Sequence, residues 1–223
     1  MIRSGGRIMS GLLEKDMRLL FKRKQIFAII IVVELFLGMS GSGTFAVVYF
    51  TMLAGIIAAG TLSYDEFDNG FGFLFTLPIN RKTYIREKYV LCIAACAVAW
   101  CISIVLYVVS GMVGGQNIDF IAQLPELIMI FPGMSMLATI ILPLQLKYGS
   151  EKGKVALFVI CGCLAAVLVF AKNLFSEESA IGFINIIHGI PMGTIMIGIT
   201  ALCAIVIFVT YSCSLRILSN KEL

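Results

Sequence analysis

Six apolar runs, near residues 26–39, 44–62, 89–113, 125–144, 155–171 and 190–212, leave this chain few ways to fold. A helix crossing about 30 Å of hydrocarbon needs roughly 20 apolar residues, with about 17 the lower end. The runs therefore predict an all-α integral membrane protein with six transmembrane helices. The first run is short unless Leu19 to Gln25 adds earlier turns, with Lys22, Arg23 and Lys24 snorkelling to the interface. Charged residues make up 13% of the chain, against about 25% in a soluble domain, and mean hydropathy is +1.00. No linker or low-complexity tract divides the sequence, so residues 1–223 read as one membrane unit.

Charge placement orients that unit. Of 17 lysines and arginines, 16 fall on one side of the predicted spans. They are Arg3, Arg7, Lys15, Arg18, Lys22, Arg23 and Lys24 before the first span, and Arg81, Lys82, Arg86 and Lys88 before the third. Lys147, Lys152 and Lys154 follow the fourth, and Arg216 and Lys221 lie in the tail. Only Lys172 is opposite. Positive charge stays cytoplasmic, so both termini and the loop at 61–89 are expected to face the cytoplasm. The net charge of +4 follows this rule and is no sign of nucleic-acid binding.

The ends and turns carry further pattern. Met9, Leu12, Leu13, Met17, Leu20 and Phe21 recur at helical spacing among Glu14, Lys15, Asp16, Arg18, Lys22 and Arg23. This predicts an amphipathic helix over 9–24, suited to the cytoplasmic interface, as an anchor or as a partner contact. No cleavable signal peptide is predicted before it. Met39 to Gly43 (MSGSG) reads as a tight external hairpin. The segment 172–189 mixes polar residues with Ile181, Phe183, Ile184, Ile186 and Ile187, and can form an outer re-entrant helix if packed on protein. Small pairs four apart (Gly55/Ala59, Ala95/Ala99, Gly111/Gly115, Gly189/Gly193) suit close helix packing. The seven cysteines lie in or beside apolar runs, which argues against a disulfide framework.

Catalytic chemistry finds no constellation. His188 is the only histidine, and no Ser or Cys nucleophile has a base nearby in sequence. Gly149 to Val155 (GSEKGKV) has three residues between its glycines where a phosphate loop has four, and Val155 stands where Ser or Thr would hold magnesium. Neither an enzyme nor a nucleotide site is expected in this chain. Glu34 is the one acid well inside an apolar run. Burying a carboxylate there costs about 2.5–3.5 kcal/mol on insertion scales. It either lines a translocation pathway, takes a polar partner between helices, or reaches the outer interface.

The loop at 61–89 is the longest stretch a bilayer cannot hold. Asp65, Glu66 and Asp68 make its start acidic; Gly70 to Phe75 alternates glycine and aromatics; Pro78 stops a helix; Tyr84 to Tyr89 forms a basic entry to the third span. Such a loop either seats in a partner's groove or dips its phenylalanines into headgroups.

Within it, Ser63, Tyr64, Asp65 and Glu66, then Leu77, Pro78, Ile79 and Arg81, then Lys88 and Tyr89 resemble permease subunits of type-2 ATP-binding-cassette exporters. The pattern is similar to the six-span branch that exports phenol-soluble modulins in Gram-positive bacteria. The likeness in layout runs from about residue 9 to the end. It implies a cytoplasmic coupling helix between spans two and three, seated on a separate ATPase subunit through Tyr64, Asp65, Glu66, Phe73, Leu77, Pro78 and Arg81. It also implies an N-terminal elbow helix, an outer re-entrant element over 172–189, and a second permease, as a homodimer more readily than a heterodimer. ATP and Mg would be bound by the partner subunit, in a bacterial plasma membrane, with amphipathic peptides or hydrophobic drugs as cargo. Two other classes remain open on the residues alone: a non-transporting immunity or scaffold protein, and an ion-coupled carrier using Glu34.

Overall fold

The computed structural model describes residues 2–22, 24–66, 80–114, 120–149, 152, 153, 155, 159 and 191–220. The described chain is helical, with no strand among the described residues. Its helices are α1 (Ile2–Lys22), α2 (Lys24–Met39), α3 (Gly43–Ala59), α4 (Thr61–Glu66), α5 (Arg81–Val113), α6 (Phe120–Tyr148) and α7 (Met192–Asn220). The expected fifth span at 155–171 and the outer segment at 172–189 lie outside the described residues, apart from single helical positions at 155 and 159.

Four stretches are long and apolar enough to cross a membrane: Gly43–Glu66, Arg81–Val113, Ile121–Tyr148 and Met192–Ser219. They coincide with the second, third, fourth and sixth apolar runs. At 1.5 Å per residue the 33 residues of α5 reach about 50 Å, well beyond a hydrocarbon core of about 30 Å. The helix therefore extends past the hydrocarbon, and its charged first turns, from Arg81, are the part suited to headgroups and water, continuous with the span. Asn80 starts this helix as its N-cap, accepting a hydrogen bond from the Lys82 amide at 3.4 Å.

At 16 residues α2 is short for a complete crossing, as the first apolar run predicts. The missing length lies in α1. Asp16 of α1 pairs with Lys88 of α5, Glu34 of α2 lies beside Ser103, and Gly38 abuts Ser110. Asp16 to Gly38 is 22 residues, and so is Lys88 to Ser110. The N-terminal helices thus advance along α5 in step, over about 33 Å at 1.5 Å per residue. A crossing by α2 would draw on the turns before Lys24 with Lys22 and Lys24 snorkelling; both are exposed.

The hairpin at Met39 to Gly43 is confirmed in its geometry. Ser42 N–H donates to Leu37 O at 3.2 Å and Gly41 N–H to Gly38 O at 3.3 Å, with Gly41 at φ +85°. This is the paired-bond helix stop that requires a left-handed residue, which glycine supplies without strain. It folds α3 back against α2. In the core, α3 packs against α2, α5 and α6, while α7 packs chiefly on α6. Gly55 allows a close approach there: a Cβ at that position would lie 2.8 Å from Ala138 and 2.9 Å from Cys96. Gly193, by contrast, meets nothing within 4 Å, so that small residue closes no described helix contact. A cluster of Ala58, Ala59, Leu62, Tyr84, Ile85, Tyr89, Cys92, Ile141, Leu142, Leu146 and Leu218 fills the end of the bundle that carries the loop flanks.

Candidate functional site: a buried charge cluster at the loop flanks

At that end, three helical segments bring four charges out of water, with the partly exposed Lys15 beside them. Lys88 is 3% exposed, Asp65 6%, and Asp16 and Glu87 are fully buried. The Lys88 ammonium pairs with Asp16 Oδ2, lies 2.8 Å from Asp65 Oδ2, and donates to Thr61 Oγ1 at 3.2 Å. Its three donors thus have three acceptors, drawn from α1 and α4. Lys15 reaches Asp65 Oδ1 at 2.5 Å and Asp16 Oδ1 at 3.4 Å. The Tyr84 hydroxyl donates to Asp65 Oδ2 at 2.8 Å. Two ammonium groups and two carboxylates form one closed ring.

The local sequence explains why the ring forms. Tyr84 and Lys88 are four apart and share one face of α5, turned toward α4 and α1. Asp16 follows Leu12 by four on the buried edge of α1, whereas Met17 and Phe21 on its next edge are 43% and 69% exposed. Glu14, Arg18 and Lys22 form its third, exposed edge, with Arg18 donating to Glu14 at 2.5 Å. Asp65, in the last turn of α4, lies four residues after Thr61 on the same side. Isolated buried charges are prohibitive, and a ring of alternating sign is the arrangement that tolerates them. Glu87 stands apart within the cluster. The charges of Lys88, Asp16, Lys15 and Asp65 all bear on it, yet neither carboxylate oxygen has a hydrogen-bond partner.

The sequence-predicted loop residues divide by position. Tyr64 is 43% exposed, Glu66 is half-buried with its carboxylate against Gly149, and Asp65 is turned inward into the ring. Arg81 donates to the carbonyls of Leu218 at 2.9 Å and Ser219 at 3.0 Å, satisfying two of the last acceptors of α7. Tyr89 hydrogen-bonds Ser214 at 2.9 Å and meets Tyr211 edge-on, joining the same two helices one turn deeper. Phe73, Leu77 and Pro78 lie outside the described residues. The loop flanks are therefore tied to α1 by charge and to the end of α7 by hydrogen bonds.

The sequence matches the family described as ABC-2 family transporter protein over residues 11–219. The chain belongs to that family. No curated protein and no solved structure matches it. ABC-2 proteins are membrane components of ATP-binding-cassette transporters, so membership makes this chain a multi-pass permease subunit and implies an ATPase partner.

Glu34 occupies a different setting, about 22 Å along α5 from the ring by the rise from Lys88 to Ser103. It is 2% exposed, beside the Ser103 hydroxyl, itself fully buried. Neither group completes a well-formed hydrogen bond. One turn inward, Ile30 packs with Phe50, Ala54 and Ala99; one turn outward, Gly38 meets Ser110. The Glu34 carboxyl is thus sealed in the α2–α5 seam rather than turned to lipid.

The sequence reasoning missed Asp16, Lys15, Thr61 and Tyr84 as partners of the loop, and gave Lys88 no role beyond a motif position. One signal was available: Asp16 lies four residues from Leu12, on the edge that the apolar pattern assigns to burial.

Proposed function

We propose that this chain is the permease of an ATP-binding-cassette exporter for amphipathic peptides, modulin-like or bacteriocin-like, or for hydrophobic drugs. It works in a bacterial plasma membrane beside a second permease, with a homodimer favoured. ATP and Mg are bound by the partner ATPase, which seats on the loop between α4 and α5. The observation that carries this reading is the ion ring: it fastens both flanks of that loop into the bundle, so force applied to the loop reaches the helices. Tyr64, Glu66, Phe73, Leu77, Pro78 and Arg81 are the proposed docking residues, and Asp65 acts from inside as the anchor of the flank. The N-terminal helix serves as the elbow, with its basic edge at the cytoplasmic interface, and 172–189 as the outer re-entrant element.

The test is co-purification of the full chain with the ATPase encoded beside it. Loss of binding in Phe73→Ala, Leu77→Ala or Arg81→Ala supports the docking residues; unchanged binding in all three sinks them. A second reading has its own observation, the sealed and unpaired Glu34 carboxyl. Ion-coupled carriage through Glu34 requires transport that persists without any ATPase and stops in Glu34→Gln. A non-transporting scaffold requires substrate binding with no transport under either condition.

A further inference from the structure

The ring holds a connection that neither family membership nor the loop motif assigns. The Lys88 ammonium is shared between Asp65, on the flank before the loop, and Asp16, on the first helix. Lys15 of that helix makes the reciprocal contact, reaching across to Asp65. The first helix therefore grips both flanks at once, through one acid and one base. On the same edge of that helix, Leu12 is also buried. We infer that Lys15 and Asp16 are positioning residues that make the first helix follow the loop flanks, so that movement of α4 and the start of α5 shifts α1 and, through it, the α2–α5 seam holding Glu34. This rests on the reading of the chain as an ATPase-driven permease.

Geometry favours transmission over mere anchoring. Charge-assisted bonds are directional and short, so displacing Lys88 sideways must either drag Asp16 or leave a carboxylate buried without its cation. An apolar contact of the same area would slide. Along α5 the next contacts come from α2, with Glu34 beside Ser103 and Gly38 against Ser110. A shift at Asp16 thus acts on the same face of α5 that α2 packs against.

The double variant Lys15→Gln/Asp16→Asn separates these alternatives. It removes one positive and one negative charge, so the remaining Lys88–Asp65 pair stays balanced, with Thr61 and Tyr84 in place. Full-length chain in lipid nanodiscs with its co-purified ATPase is compared by hydrogen exchange with and without ATP and vanadate. In the unaltered complex, nucleotide trapping is expected to change exchange both at 81–89 and at 9–22. In the double variant the response at 81–89 is expected to stay and the response at 9–22 to be lost, with the ATPase still bound. An equal response at 9–22 in the variant overturns the inference while leaving the permease reading intact; so does a response at 81–89 alone in the unaltered complex. Failure of any ATPase to bind the unaltered chain overturns both. Should the double variant not assemble, Asp16→Asn, which leaves Lys88 both Asp65 and Thr61, carries the comparison with the same two outcomes. Loss of packing alone would raise exchange at 9–22 without abolishing its dependence on nucleotide.

Discussion

The seam between the N-terminal helices and α5 is closed differently at its two ends. At the end that carries the loop flanks the contact is ionic: Lys88 between Asp16 and Asp65, with Lys15 completing the ring. Toward the outer end it is steric: Gly38 against Ser110, and Gly43 against the Tyr107 ring. Between them sits Glu34, buried like the ring carboxylates but without a cation. An ionic contact holds firmly until one partner moves and then becomes costly. A small-residue contact depends only on shape. The ionic end is thus suited to respond to displacement of the loop flanks, and the steric end to hold register while it does so.

The largest expected effect tests the ionic end. Lys88→Met leaves Asp16 and Asp65 only the partly exposed Lys15, and removing one partner of a buried ionic set costs about 3–5 kcal/mol. Thermal unfolding of the detergent-solubilised chain should show it as a large fall in midpoint. Adding Asp16→Asn and Asp65→Asn to Lys88→Met should recover most of the loss, because a neutral set of similar size pays no desolvation of charge. If the single variant unfolds like the parent, the ring does not bear load and the contrast between the ends collapses.

The steric end should yield next. Gly43→Ala drives a methyl into the Tyr107 ring, and overpacking of this kind costs about 1–3 kcal/mol. Gly38→Ala should cost less, since only the Ser110 side chain must turn away. Gly193→Ala is the control: its Cβ meets nothing within 4 Å, and alanine favours the helix by roughly 0.5–1 kcal/mol over glycine. The same unfolding measurement ranks the three. Equal effects at Gly43 and Gly193 would remove the steric half of the comparison.

These two ends were unequally legible in the sequence. The apolar runs locate α3, α5, α6 and α7 because hydropathy is a local property, and the MSGSG hairpin declares itself through its glycines. Charge counting places the loop flanks on one side for the same reason. The ring is different. Asp16, Asp65 and Lys88 are 49 and 23 positions apart in succession, and Asp65 and Lys88 read locally as water-facing residues beside an apolar run, while only its spacing from Leu12 marks Asp16. Only the fold shows that all three turn inward. Asp65 illustrates the difference: its acidic neighbourhood suggested a partner contact, whereas its side chain meets Lys15, Lys88 and Tyr84 within the chain. Arg81 likewise caps α7, a pairing across 137 positions that no local pattern carries. The apolar run marks the third span from about residue 89, and residues 81–88, six of them charged or aromatic, continue the same helix toward its N-terminus.

The smallest expected effect on stability is at Glu34, and it is the most discriminating. Glu34→Gln keeps the size of the side chain and removes only the chance of charge. The amide can hydrogen-bond the Ser103 hydroxyl, a contact worth about 0.5–1.5 kcal/mol, so the variant should unfold at or slightly above the parent midpoint. That is opposite in sign to Lys88→Met, although both positions are almost fully buried. Transport is expected to move the other way. A carboxyl sealed in the seam without a partner is retained at a cost in stability, and a role in the pathway predicts that its neutral variant transports less while folding as well. Unfolding midpoints and transport by the ATPase-bound complex, measured on the same preparation, decide the matter. If Glu34→Gln destabilises as Lys88→Met does, the carboxylate has a structural cation after all, and the seam is ionic along its length. If it leaves both transport and stability unchanged, Glu34 is packing, and the pathway lies on another face of α5.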